Sequence, residues 1–264
     1  MINIDIDFQK RVEQIVLKTG EFIRQEAKNI TSIKSIDKAF HDPVSYVDKT
    51  AEQMLVEGLS ELLPEAGYIA EEGTGSKKPN GYNWIVDPLD GTLNFLHSIP
   101  IYSVSVALAY KTELLLGVVY EINGNELFSA RKGYGATCNG SPISVSQTTD
   151  IQNSVWATGF PFRDYGRVDA YLSLLKDIMY NTKGIRRLGS AAVDLCYTAA
   201  GRFDGYFEYG LNPYDIAGGI VVVREAGGII SDFQGDKNNW SGIDIIASNN
   251  TLYPEIITFV RNNF

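Results

Sequence analysis

The stretch Trp84-Ile85-Val86-Asp87-Pro88-Leu89-Asp90-Gly91-Thr92-Leu93-Asn94-Phe95 joins a short apolar run to two acids, a proline and a glycine. Ile85-Val86 reads as a strand that delivers Asp87 to its end, where loops build sites. Asp90 follows across a tight turn, so both carboxylates can face one point. Taken alone, the segment has a plain explanation in turn chemistry: Pro presets φ, and Asp and Gly tolerate the bend after it. Its neighbours change that reading. Glu71 and Glu72 end a second apolar run, Tyr68-Ile69-Ala70, and Asp215 opens a helix within Asn212-Pro213-Tyr214-Asp215-Ile216-Ala217-Gly218-Gly219. Asp215 alone would pass for an N-cap. Carboxylates that converge without basic partners repel one another, and hard divalent cations resolve the repulsion. Mg²⁺ takes oxygen ligands from a few carboxylates, water and substrate phosphate. A pair of such ions stabilises both the attacking and the leaving oxygen of an in-line displacement.

Outward from this stretch the pattern changes once. Before it, residues 8–27 read as an amphipathic helix, with Val12, Ile15, Val16, Thr19, Phe22 and Ile23 at helical spacing. A second helix is expected over 49–63, ended by Pro64. After it, 101–110, 114–122 and 126–130 read as an antiparallel meander, turning at Lys111-Thr112-Glu113 and Asn123-Gly124-Asn125. The second half alternates: strands at 154–158, 184–187, 206–209, 228–232 and 243–247, helices at 169–180, 190–200, 215–225 and 252–261. Such alternation predicts a mixed α/β (α+β) fold with helices packed on sheet. A boundary near 146–153 divides an N-terminal half, 1–150, carrying the acidic motif, from a C-terminal half, 151–264, that completes the site.

Composition narrows the class of function. At 264 residues, 44% hydrophobic and 21% charged, the chain has the make-up of an ordinary globular protein with a sizeable core. The net charge of −9 argues against nucleic acid as a partner, and it means that a phosphate ligand needs bound cations to bring it in. Two cysteines, Cys138 and Cys196, make no disulfide framework, and with only His41 and His97 beside them no zinc spacing arises. The beginning Met1-Ile2-Asn3-Ile4-Asp5 lacks the basic and apolar regions of a signal peptide, and the longest apolar runs, such as 114–120, are too short to span a bilayer. A cytoplasmic protein without membrane contact is expected.

Six segments, in order, resemble the inositol monophosphatases of the lithium-sensitive metal-dependent phosphatase superfamily. They are Asp42-Pro43-Val44-Ser45-Tyr46-Val47-Asp48, Ala70-Glu71-Glu72-Gly73, the 87–95 stretch, Arg187-Leu188-Gly189-Ser190-Ala191-Ala192, Gly201-Arg202-Phe203-Asp204-Gly205-Tyr206-Phe207-Glu208, and Tyr214-Asp215-Ile216-Ala217-Gly218-Gly219. Tyr214 stands where many members have Trp, Leu93 replaces a common Thr, and Gly218-Gly219 replaces Ala-Gly; no carboxylate is lost. The resemblance implies a layered α-β-α-β-α sandwich of the sugar-phosphatase type, a homodimer, and two or three Mg²⁺ ions with inhibition by Li⁺. It implies that Glu71, Asp87 and the Leu89 carbonyl hold one metal, that Asp87, Asp90 and Asp215 hold a second, and that a weaker third involves Glu71. Asp48 and Thr92 would activate water, with Glu71 the remaining catalytic acid. Asp90, Gly91, Thr92, Gly189, Ser190, Ala191, Glu208 and Asp215 would contact substrate, Glu208 by accepting from polyol hydroxyls. Gly91 and Thr92 would open a helix whose N–H groups face the phosphate. Phe160-Pro161-Phe162 and Arg163 would form a loop beside the site, with no contact assigned, and Lys34 or Lys38 would match a family lysine.

The implied reaction is hydrolysis of a phosphate monoester of a small polyol, inositol monophosphate foremost, with no nucleic-acid partner. A 3′(2′),5′-bisphosphate nucleotidase and a fructose-1,6-bisphosphatase share the same metals and fold. A regulatory binding protein with secondary phosphatase chemistry is the alternative of another class.

Overall fold

The computed structural model describes residues 2–32, 35–39, 42–162, 164–240 and 243–264. Lys34, His41 and Arg163 lie outside them, as do the side chains of Lys38 and Asp42. Helix α1 (Ile6–Glu26) starts where Asp5 accepts from the Phe8 N–H at 2.9 Å, a side-chain N-cap. Phe8, Val12, Val16, Thr19 and Ile23 are buried along one stripe of a 3.6-residue period. A ribbon of β1 (Ser35–Ala39) against β2 (Asp42–Ser45) leads into α2 (Tyr46–Leu62). Next come β3 (Gly67–Ala70), β4 (Tyr82–Asp90) and the short α3 (Thr92–Leu96). The meander continues the chain as β5 (Ser103–Tyr110), β6 (Glu113–Glu121), β7 (Glu126–Arg131), β8 (Ala136–Cys138) and β9 (Ser141–Ile143). These strands form one seven-stranded sheet in the order β3-β4-β5-β6-β7-β8-β9, parallel only between β3 and β4.

The rest of the chain runs β10 (Val155–Thr158), α4 (Val168–Asn181), β11 (Gly184–Arg186), α5 (Ala191–Ala199), β12 (Gly205–Tyr209), α6 (Pro213–Glu225), β13 (Ile229–Ser231), β14 (Asp244–Ser248) and α7 (Tyr253–Asn263). Its sheet has the order β11-β10-β12-β14-β13, with β10 parallel to both neighbours and the other pairs antiparallel.

Strand alternation sorts the side chains into three cores. Trp84 and Val86 of β4 join Val12, Val16, Leu55 and Leu59 under α1 and α2, while Ile85 between them faces Ala192, Leu195, Ile216 and Ile220 of α5 and α6. On the second sheet Tyr206 and Ala247 face that same middle layer, whereas Phe207 and Ile246 turn to Tyr171, Leu174, Ile256 and Val260 of α4 and α7. The result is the α-β-α-β-α sandwich. Helix α6, between two sheets, is buried from Asp215 through Val223, as a helix apolar all round must be. Its Gly218-Gly219 pair has a packing reason: a Cβ on Gly219 would stand 2.6 Å from the Leu195 Cβ, and one on Gly218 would stand 2.6 Å from the Ser105 Oγ.

In one respect the acidic stretch departs from its sequence pattern: Asp87 does not end its strand. β4 continues through Pro88 and Leu89 to Asp90, and its register against β5 shifts there, Asp87 opposite Ser105 but Asp90 opposite Ser103. Three steps on β4 face two on β5, the signature of a bulge, which accommodates a proline lacking its N–H and re-aims the flanking side chains.

Candidate active site

The bulge is closed locally by the Leu89 N–H, which donates to Asp87 Oδ1 at 3.0 Å. Asp87 is buried at 1% exposure and points from β4 toward the middle layer. Asp90, partly exposed, accepts from Ser190 Oγ at 2.6 Å and from the Ala192 N–H at 2.8 Å, so the start of α5 holds it. Gly91 turns the chain with φ of 94°, where a Cβ would sit 3.0 Å from the Ile101 carbonyl oxygen. Thr92 then takes the first position of α3, and its hydroxyl lies 2.8 Å from Asp48 Oδ1 and 2.9 Å from the Leu89 carbonyl oxygen.

Asp48 and Asp215 occupy equivalent local positions. Neither is the N-cap; each is three residues inside its helix and closes a capping box. Asp48 Oδ2 takes the Ser45 N–H at 2.8 Å and the Ser45 hydroxyl at 2.7 Å, which leaves Oδ1 for Thr92. Asp215 Oδ2 takes the Asn212 N–H at 2.6 Å. Both carboxylates are buried, at 1% and 5% exposure. Glu71 comes directly after β3, its N–H on the Val86 carbonyl oxygen at 3.2 Å, which sets it beside the β4 bulge.

Glu71, Asp87, Leu89, Asp90, Thr92 and Asp215 line one cavity of about 250 Å³, together with Gly91, Leu93, Gly189, Ser190, Ala191, Glu208, Phe160, Phe162, Arg187 and Asp194. All the expected site residues except Asp48 line it, and Asp48 is tied to it through Thr92. Burial and then the negative charges of Glu71, Asp90 and Asp215, with a hydrogen bond to Glu71, push the Asp87 carboxyl well above the usual range. Burial and Asp215 raise Asp90 to about 7, against the lowering contacts of Ser190 and Ala192. The charged groups that act most strongly on Asp87 are themselves acidic. Among the described residues, no three acidic, histidine or cysteine side chains are closed into a metal-ligating group. The fit to a divalent cation lies in the donor chemistry: four hard carboxylates and a backbone carbonyl around one cavity, the acids mutually repelling, as an oxygen-seeking ion would relieve.

Three neighbours were not singled out from the sequence. Glu52, fully buried on α2, accepts from the Glu72 N–H at 2.7 Å and the Thr74 N–H at 3.0 Å and so anchors the loop after Glu71. Its signal was there: an acid four residues after Asp48, on the apolar face of the helix. Arg187, within a matched segment but given no role, is the one basic side chain among the described residues lining the cavity, and its guanidinium lies 5.7 and 5.8 Å from the Phe160 and Phe162 ring centres. Asp194 of α5 is buried at 1% exposure, and no local pattern marks it.

A profile of the inositol monophosphatase family matches residues 6–263. The Nus factor SuhB of Vibrio cholerae is 39% identical over 247 residues, covering 93% of this chain and 92% of its own. The extragenic suppressor protein SuhB from Bartonella henselae superimposes with a TM-score of 0.91 at 35% identity, covering 97% of this chain and 98% of its own. An IMPase from Thermotoga maritima gives 0.85 at 33% identity, covering 95% of each chain. The Nus-factor name implies association with RNA or a transcription complex, and it overturns the expectation that partners are limited to a small substrate and exclude nucleic acid. That expectation rested on the net charge of −9, an average over the whole surface that cannot describe one local contact area. No described helix is long and apolar enough to cross a membrane. With its profile match over nearly the full length and its sandwich superimposing on these structures, the chain belongs to the inositol monophosphatase family.

Proposed function

We propose that this protein is a Mg²⁺-dependent, Li⁺-sensitive cytoplasmic phosphatase that hydrolyses the phosphate monoester of a small polyol, inositol monophosphate foremost. The observation that carries the reading is the cluster of Glu71, Asp87, Asp90 and Asp215, acids acting on acids, beside the Thr92–Asp48 pair in one cavity. Glu71, Asp87 and the Leu89 carbonyl would hold one ion, Asp87, Asp90 and Asp215 a second, and Glu71 would contribute to a third. When bound, these ions supply Lewis acidity at the phosphate and make water more acidic. The chain's own part is orientation and proton handling. Asp48 Oδ1 accepts a hydrogen bond from the Thr92 hydroxyl, which leaves the Thr92 oxygen to accept a hydrogen bond from the attacking water and aim it at phosphorus. Asp48 is held in that role by Ser45 on its other oxygen. The phosphorus–alcohol bond breaks as the water oxygen bonds to phosphorus; the water gives up a proton, and the leaving alkoxide takes one up from solvent. Gly189, Ser190, Ala191 and Glu208 line the same cavity and would contact the alcohol.

The test is phosphate release from inositol 1-phosphate, adenosine 3′,5′-bisphosphate and fructose 1,6-bisphosphate, each with Mg²⁺, with EDTA and with Li⁺. Mg²⁺-dependent, Li⁺-inhibited release favouring the inositol ester supports the reading. Preference for either other ester keeps the site and changes the substrate, and release from none of them sinks it.

The relatives' name favours a second role alongside the first, as a component of a transcription complex. An Asp215→Asn variant separates the two. If it loses turnover yet still co-purifies with RNA polymerase or its RNA, the second role is independent of the chemistry. If neither it nor the unsubstituted protein co-purifies with them, the second role falls.

A further inference from the structure

A tyrosine inside an apolar layer carries a hydroxyl that needs a partner. Tyr206 of β12 is fully buried in the middle layer, in one cluster with Leu195, Ile216 and Ala247. Phenylalanine would fill the same volume without a polar atom to satisfy. The Tyr206 hydroxyl donates to Glu208 Oε2 and has no other partner among the described residues. Strand alternation makes the contact, because residues two apart share a face. Glu208 lines the cavity, so the pair joins the buried layer to the cavity wall. A second neighbour shapes the place of the Glu208 carboxyl group. β10 runs parallel to β12 with Thr158 opposite Phe207, and the next step of that register sets Gly159 beside Glu208. A Cβ on Gly159 would stand 2.1 Å from both Cδ and Oε1 of Glu208, so the carboxyl group occupies space that any other residue at 159 would fill. Gly159 is held in turn by fully buried Tyr171, whose hydroxyl donates to the Gly159 carbonyl oxygen.

We propose that Tyr206 is a positioning residue for the alcohol half of the substrate, its hydroxyl fixing the Glu208 carboxylate in the orientation that accepts from a polyol hydroxyl. The inference rests on the phosphatase reading and deepens it. The terminal torsion of a glutamate is broad, so an untethered carboxylate has to be ordered each time a ligand binds. A hydrogen bond made before the substrate arrives removes that cost from binding. A phenol keeps its proton at neutral pH without help from its surroundings, so the donor is always present.

The test compares Tyr206→Phe with the unsubstituted protein on two esters, inositol 1-phosphate and phenyl phosphate, whose alcohol half has no further hydroxyl for Glu208 to accept from. In Tyr206→Phe, kcat/KM for inositol 1-phosphate is expected to fall about three- to tenfold, mostly through KM. Phenyl phosphate should change by less than about twofold, since the ring that fills the layer is kept. In a Glu208→Ala background, Tyr206→Phe should add less than about twofold, because the residue it positions is gone. A loss on inositol 1-phosphate below about threefold overturns the inference. So does an equal loss on both esters, which marks a disturbed site, or a full further loss in the Glu208→Ala background. If the unsubstituted protein releases phosphate from phenyl phosphate alone, the polyol reading and this inference fall together while the phosphatase chemistry stands. Release from neither ester overturns the proposed function and this inference with it.

Discussion

Asp87 concentrates the physics of the site. It is buried, bonded to the acid Glu71, and surrounded by the charges of Glu71, Asp90 and Asp215. An amide at position 87 or 90 keeps the shape and removes a charge. Asp87→Asn and Asp90→Asn are therefore expected to lower phosphate release more than about 100-fold while the fold is retained, read by activity beside circular dichroism. The stability of the metal-free protein gives a second readout. A carboxyl raised in the folded state keeps its proton there after the unfolded chain has released it. Its contribution is full below the ordinary value of 3.8 and is lost as pH rises through about 7 at Asp90. In EDTA the unsubstituted protein should thus lose stability relative to Asp90→Asn between about pH 4 and pH 7. Thermal melts that stay parallel across that range would contradict the crowding of acids. At this scale the sequence was most readable where residues sit close together, as Asp87, Asp90, Gly91 and Thr92 do. Asp194 carried no signal because an acid on a helix looks the same whether it faces water or a cavity.

The elements show which features local pattern encodes. Helix α1 announces itself by its stripe, and the meander by alternation and turn residues. The β4 bulge did not, because Asp-Pro-Leu-Asp suits a turn equally well; pairing with Ser103 and Ser105 of β5 made it a continued strand. Helix α2 joins two functions on one face. Asp48 reaches Thr92, and one turn later Glu52 fixes the backbone after Glu71. Glu52→Gln presents an amide donor to one of two N–H groups that need acceptors. It is expected to cost about 1–3 kcal/mol of stability and to raise the Mg²⁺ concentration for half-maximal activity several-fold with kcat changed less. A Mg²⁺ titration reads this. A variant that loses stability but keeps its Mg²⁺ dependence would reduce Glu52 to a structural residue.

Over the whole molecule, the proposed ligands come from separate layers: Glu71 and Asp87 from the seven-stranded sheet, and Asp215 from the helix layer between the sheets. An ion that ties them together binds the folded chain and not the unfolded one. Saturating Mg²⁺ at about 100 times its Kd should add about 2.7 kcal/mol, a Tm rise of roughly 5–10 °C for a chain of this size. The rise should vanish in Asp87→Asn, and an equal rise in that variant would place the stabilising ion elsewhere. The partner expectation failed at this scale too, since total charge says little about any one surface. The sequence by itself determined the element types, the alternating order of helix and sheet layers, and the acids able to hold a cation. Those features rest on contacts two to four residues apart and on six motif segments. Only the tertiary structure decided that Asp90 is held by Ser190 and Ala192 about a hundred residues away, that Glu52 anchors the Glu71 loop, and that Asp194 is buried unpaired beside Glu208. Each of those depends on which surfaces the close-packed middle layer brings together, and no spacing along the chain records it.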